Sequence, residues 1–147
     1  MLRLRPHHIL DIIRNIGHER PLVPHEYGHL VHLITKMILE DVDIECRLVV
    51  ANDDICGPCR MLKNDGSCAD VLAQLDEPVS KQVYNDDLDR RLLAFLGIQE
   101  DEVMMLRDYL TLVAQRVDEL VPLCVHPKED SEYRRTGLLK GLERVGT

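Results

Sequence analysis

The sequence predicts an α+β fold, mostly helical, in which amphipathic helices surround a small two-stranded sheet and a cysteine-rich loop grips a metal. Three observations carry that expectation. Apolar residues recur at helical spacing behind prolines, and one stretch, Asp43 to Val50, alternates apolar and polar residues as a half-buried strand does. Three of the five cysteines crowd into one loop, Cys56-Gly57-Pro58-Cys59 and Cys68. At 147 residues the chain reads as a single domain, 1–147, long enough to bury its own apolar core.

The first helix starts at Pro6 and carries Ile9, Ile12, Ile13 and Ile16 on one face until Gly17 ends the pattern. Its other face holds His7, His8 and Asp11, with His7 and Asp11 one turn apart. A second helix is expected over Pro24 to Glu40, with Tyr27, Leu30, Val31, Ile34, Met37 and Ile38 inward. His25, His29 and His32 fall off that face and read as solvated surface. In the strand, Ile44, Cys46, Leu48 and Val50 share a side, which makes Cys46 a core residue and not a ligand. Cys68 is expected to open a short helix ending at Leu75, and Val79 to Tyr84 to form a second strand. Asn85 or Asp86 then caps a helix with Leu88, Leu92, Phe95 and Leu96 inward and Gly97 at its end. A longer helix follows from about Asp101 to Leu120. Its stripe of Val103, Leu106, Leu110, Val113, Val117 and Leu120 packs into the core, with a homodimer seam as the alternative.

Gly-Pro between Cys56 and Cys59 turns the backbone so that both thiolates face one point, and Asp65-Gly66 folds the chain back to bring Cys68 to it. Three soft ligands suit zinc or an iron–sulfur cluster and not the oxygen-seeking calcium or magnesium. Either site usually needs a fourth ligand, and Cys124, His8, His7 and Asp11 are the candidates. Cys124, Pro127 and Thr136 stand at the same separations as Cys56, Cys59 and Cys68. That spacing raises the reading of a degenerate internal copy which would bring Cys124 beside the first site.

Charge excludes one large class of partners. Eighteen basic against twenty-six acidic side chains leave a formal charge of −8, which repels phosphate backbones, and five aromatics offer little for stacking bases. No nucleic acid is expected. No apolar run approaches the ~20 residues that span a bilayer and the N-terminus lacks a signal-peptide core, so the expected location is the cytoplasm and no membrane is involved. In a reducing compartment a Cys-x-x-Cys reads as metal or redox chemistry before it reads as a disulfide.

Leu4-Arg5-Pro6-His7-His8-Ile9-Leu10, followed by Asp53-Asp54-Ile55-Cys56 and by Cys68, resembles a family of bacterial and archaeal proteins that open with Leu-Arg-Pro-His-His. That family is a domain of unknown function expected to bind an iron–sulfur cluster. The resemblance implies that the first helix lies beside the cysteine loop. It also marks position 11, where the family commonly has cysteine and this chain has Asp11.

The leading functional expectation is a soluble iron–sulfur protein that carries or senses electrons for a protein redox partner. The alternative is a structural zinc module acting through a binding partner. A thiol oxidoreductase using Cys56 and Cys59 ranks third, because the pair does not sit between a strand and a long helix. No phosphate loop or nucleophile elbow accompanies these residues, so the sequence assigns no reaction.

Overall fold

Leu4, Arg5 and Pro6 set the architecture within three residues. In the computed structural model, which describes residues 1–146, the chain begins as strand β1 (Leu2–Leu4), turns at Arg5 and enters helix α1 (Pro6–Gly17) with Pro6 in its first turn. Proline suits that turn because the N–H it lacks would have had no helical partner. The expected isoleucine stripe of α1 is buried, from Ile9 to Ile16. Opposite it lies helix α6 (Ser131–Val145), where a methyl group on Gly141 would stand 2.0 Å from the Ile13 carbonyl oxygen. Glycine there lets two backbones touch.

β1 pairs in parallel with β2 (Glu45–Leu48), which pairs antiparallel with β5 (Val103–Met105), giving a three-stranded sheet in the order β1-β2-β5. The expected alternation holds from Glu45 to Leu48, where Cys46 and Leu48 are fully buried and Glu45 is exposed, and breaks beyond the strand, where Val49 is buried and Val50 half-buried. The sheet has three strands where the sequence predicted two. A separate hairpin joins β3 (Val71–Leu72) to β4 (Val79–Ser80), replacing the short helix expected from Cys68 to Leu75. The second strand expected over Val79 to Tyr84 survives only in β4, since helix α3 (Lys81–Leu96) takes over at Lys81 and ends at Gly97.

Two further expectations need correction. The long helix from Asp101 to Leu120 is instead β5, α4 (Leu106–Ala114) and α5 (Val117–Cys124). Edge pairing with β2 extends Val103 to Met105, and Arg116 leaves helical geometry to donate to the Phe95 carbonyl at 2.9 Å. Leu106, Leu110, Val113, Val117 and Leu120 are buried within the chain, which makes that stripe core and not a seam, and Val103 is exposed. Helix α2 runs only from Val31 to Glu40. The ten residues before it form a loop, because Gly28 takes a positive φ of 80° and the Tyr27 carbonyl accepts from Arg60 N–H at 2.7 Å. Local bonding to the cysteine loop overrides helical propensity there.

Helix α6 went unanticipated, although Asp130 caps its start and accepts from Glu132 N–H. It also removes the proposed duplication. Cys124 ends a helix and Thr136 lies in the middle of another, whereas Cys56, Cys59 and Cys68 lie in a non-helical loop.

Candidate metal centre

The cysteine loop is a chain of tight turns fastened at both ends. Cys56 N–H donates to the Asp53 carbonyl, Cys59 N–H to the Cys56 carbonyl and Leu62 N–H to the Cys59 carbonyl, each at 3.0–3.1 Å. Leu62 bridges to Cys68, whose sulfur accepts Asp70 N–H at 3.4 Å. Outside the loop, Asp54 N–H donates to the Arg3 carbonyl and Leu30 N–H to the Ile55 carbonyl. The loop is thereby held between β1 and the segment entering α2.

The start of α1 meets this loop through paired carboxylates. The buried Asp53 accepts from Arg5 N–H and His8 Nδ1 at 2.7 Å each, and from Ile55 N–H at 3.1 Å. The buried Asp89 of α3 accepts from His7 N–H and Nδ1, at 2.9 and 2.8 Å, and from Arg5 Nη1 at 2.8 Å. Each imidazole therefore has its Nδ1 tied to a carboxylate, and among the described residues each Nε2 has no hydrogen-bond partner. A carboxylate at one ring nitrogen is what orients a histidine and raises its basicity toward a metal at the other. Leu4-Arg5-Pro6-His7-His8 is thus a strand end, a buried ion pair, a helix start and two oriented imidazoles.

Cys56, Cys59, Cys68, His7, His8 and Asp11 all line one cavity of about 390 Å³. Ligand atoms of His8 and Cys56, which line it, and of the buried Asp53 lie within 4.8 Å of one another, near enough to hold a metal ion. Burial opposes ionisation of Asp53, but the charge and hydrogen bond of His8 and the Arg5 N–H outweigh it and lower its pKa to about 2. Burial likewise works against a charged His8, and Asp53 overcomes it and raises the pKa of the imidazole. Burial, followed by the Asp53 charge, pushes the Cys56 thiol up to about 12. A free thiolate is therefore disfavoured there until a cation arrives, which argues against a metal-free nucleophile and fits a ligand position.

The remaining candidates are placed differently. Asp11 lies at the same cavity but accepts from Arg134 Nη2 at 2.8 Å and from His126 Nε2 at 3.3 Å. Its burial is outweighed by His126 and Arg134, which hold its carboxyl well below the usual range. Cys124 is 1% exposed and does not line the cavity; burial pushes its thiol up to about 11. Cys46, as expected, is fully buried in the sheet.

The sequence reading passed over three features of the site. Asp53 stands three positions before Cys56, and in the sequence it enters through the Asp53-Asp54-Ile55-Cys56 motif, with no role at the site. His25 and His29 read as solvated surface, yet both line the cavity, with rings stacked 4.3 Å apart. Their alternation with Tyr27, whose ring lies under Arg60, was the available signal. Comparison of the chain with family models, with curated proteins and with solved structures gives no match.

Proposed function

We propose that this chain is an iron–sulfur protein that carries or senses electrons, with Cys56, Cys59 and Cys68 as thiolate ligands and His8 as the fourth. The supporting observation is the convergence of all three loop thiols and the carboxylate-oriented His8 on one cavity. A single tetrahedral zinc, with Zn–S near ~2.3 Å, would draw its thiolates to about 4 Å of one another. Here the close group is His8, Asp53 and Cys56, and Cys59 and Cys68 are outside it. Ligands spread around a cavity suit a polynuclear centre, in which different thiolates bind different irons. Such a centre would supply one-electron redox chemistry. The chain's own contribution is to orient His8 through Asp53, to keep Cys56 protonated until loading, and to present the site to a protein redox partner.

Zinc is the second reading, favoured by the His8–Asp53 pair, a pattern common at zinc sites. Cys124 ranks below His8 because it is buried against Arg134. Anaerobic purification followed by visible absorption and by iron, sulfide and zinc analysis tests the assignment. Iron with sulfide and charge-transfer bands is expected; a colourless protein with one zinc selects the second reading, and a protein that takes up neither metal overturns both. Loss of metal from Cys56→Ser, Cys59→Ser, Cys68→Ser and His8→Ala, with retention in Cys46→Ala and Cys124→Ala, is the expected ligand pattern.

A further inference from the structure

Behind the histidine loop lies a second cavity of about 280 Å³, bounded by α1, by residues 20–23 and by the start of α2. It shares His8, Asp11, His25, His29 and Val31 with the metal cavity, so the two adjoin. Its own polar lining is rich in nitrogen. Arg20 lines it and, among the described residues, its guanidinium has no carboxylate partner; its bonds go to the Tyr133 hydroxyl at 2.8 and 3.2 Å. In a chain of net charge −8, where most arginines meet an acid, that is an exception. His32 also lines this cavity, and its Nδ1 is shielded from solvent with no hydrogen-bond partner. A buried ring nitrogen without a partner is costly unless something occupies the space beside it.

His25 contributes a donor of fixed sense. Its Nδ1 accepts from Tyr27 N–H at 3.0 Å, which in the neutral ring leaves the hydrogen on Nε2. One acid, Asp11, lines this cavity and is held by Arg134 and His126, and nearby Glu129 is held by Arg14 at 2.8 Å. Arg14, Asn15 and Thr35 complete the polar lining, and its aliphatic part comes from Ile12, Pro21, Leu22, Val23 and Val31. We infer that the second cavity is a binding site for a small carboxylate with a short apolar body, its head held by Arg20 and the loop imidazoles and its body against the aliphatic wall. A carboxylate only accepts hydrogen bonds, which matches the Arg14 and Arg20 side chains and the His25 Nε2–H on this lining, and a cavity just under ~300 Å³ limits the ligand to a small acid. The site adjoins the metal centre through His8 but does not depend on what metal that centre holds.

Calorimetric titration of the purified full chain with butyrate, using butyramide as its neutral counterpart and inorganic phosphate as an anion without an apolar body, tests the inference. Butyrate is expected to bind at millimolar concentration, with butyramide and phosphate at least about tenfold weaker. Arg20→Gln, at an exposed position, should weaken butyrate by about tenfold or more while metal content stays at the parent level. His25→Ala, also exposed, should weaken it by a smaller factor. Absence of butyrate binding, equal binding of butyramide or phosphate, or parental affinity in Arg20→Gln would overturn the inference whatever the metal analysis gives. A protein that binds butyrate in this pattern yet takes up no metal would keep the inference and remove the metal assignment.

Discussion

Replacing Asp53 by Asn is the sharpest perturbation of the site, because one carboxylate serves the fold and the metal centre together. The side chain keeps its shape, but an amide that supplies one acceptor oxygen replaces a charged group that accepts three hydrogen bonds. The lowering of its pKa from 3.8 to about 2 measures how strongly the folded chain prefers the ion. At ~1.4 kcal/mol per pKa unit, that preference is worth about 2 kcal/mol. Asn also turns an N–H₂ toward either His8 Nδ1 or a backbone N–H, leaving one donor unanswered at ~1–3 kcal/mol. A destabilisation of about 3–5 kcal/mol is therefore expected, read as a lower urea midpoint of the metal-free protein at unchanged slope. Because His8 loses the carboxylate that fixes its ring, metal retention against a graded chelator should fall about 10–100-fold. Asp54→Asn is the control, since Asp54 accepts only Arg3 N–H, at 2.8 Å on the exposed side. Parental stability and parental metal retention in Asp53→Asn would refute the assignment of Asp53 as the orienting group.

Three other outcomes follow from the same geometry. Arg5 is 2% exposed and bonds Asp86 and Asp89, so Arg5→Ala strands a buried Asp89 and should cost about 3–5 kcal/mol in thermal or denaturant unfolding. Gly141→Ala drives a methyl to 2.0 Å from the Ile13 carbonyl oxygen, backbone against backbone, and should lower the melting temperature by an amount equivalent to ~1–3 kcal/mol. For Glu129, burial opposes ionisation but Arg134 at 2.6 Å, the His126 N–H and Arg14 outweigh it and lower its pKa. A depressed carboxylate stabilises the fold above its ordinary range near 4.5 and loses that contribution as pH falls through the folded value. The denaturant midpoint of Glu129→Gln should accordingly fall less steeply with acid than that of the parent.

What the sequence made legible were the elements with one strong local signal. Pro6 and the isoleucine period mark α1, and alternation marks β2 around Cys46 and Leu48, because burial of one face imposes those periods directly. β5 escaped because three residues of edge strand run into α4 without a break in the apolar stripe, so the helical period covers both. The start of α2 escaped for a different reason: the loop before it is fixed by bonds from Tyr27 to Arg60 and from Leu30 to Ile55, which no local pattern carries. At the site, the cysteine spacing marked the loop. Asp53 and Asp89 were invisible as orienting groups because their partners His8 and His7 lie 45 and 82 positions away.

The distribution of apolar burial separates what the metal does from what the fold needs. Small metal domains unfold without their ion because they have no other core. Here the main core is formed by α1, the sheet, α2 and the helices from α3 onward, and of residues 51–80 only Ile55 joins it. Leu72 is buried apart from it, and the rest of that segment is polar, turning or exposed. The cysteine loop is therefore held by backbone hydrogen bonds to Arg3, Tyr27 and Leu30 and by the Asp53 carboxylate, and not by packing. A ligand set so fastened is oriented before any metal arrives, since the buried pairs Arg5–Asp89 and His8–Asp53 are made by the protein alone. The fold accordingly does not rest on a metal at that loop, and the stability committed to Asp53 and Asp89 goes into aiming two imidazoles, as the proposed redox centre requires and a structural staple does not.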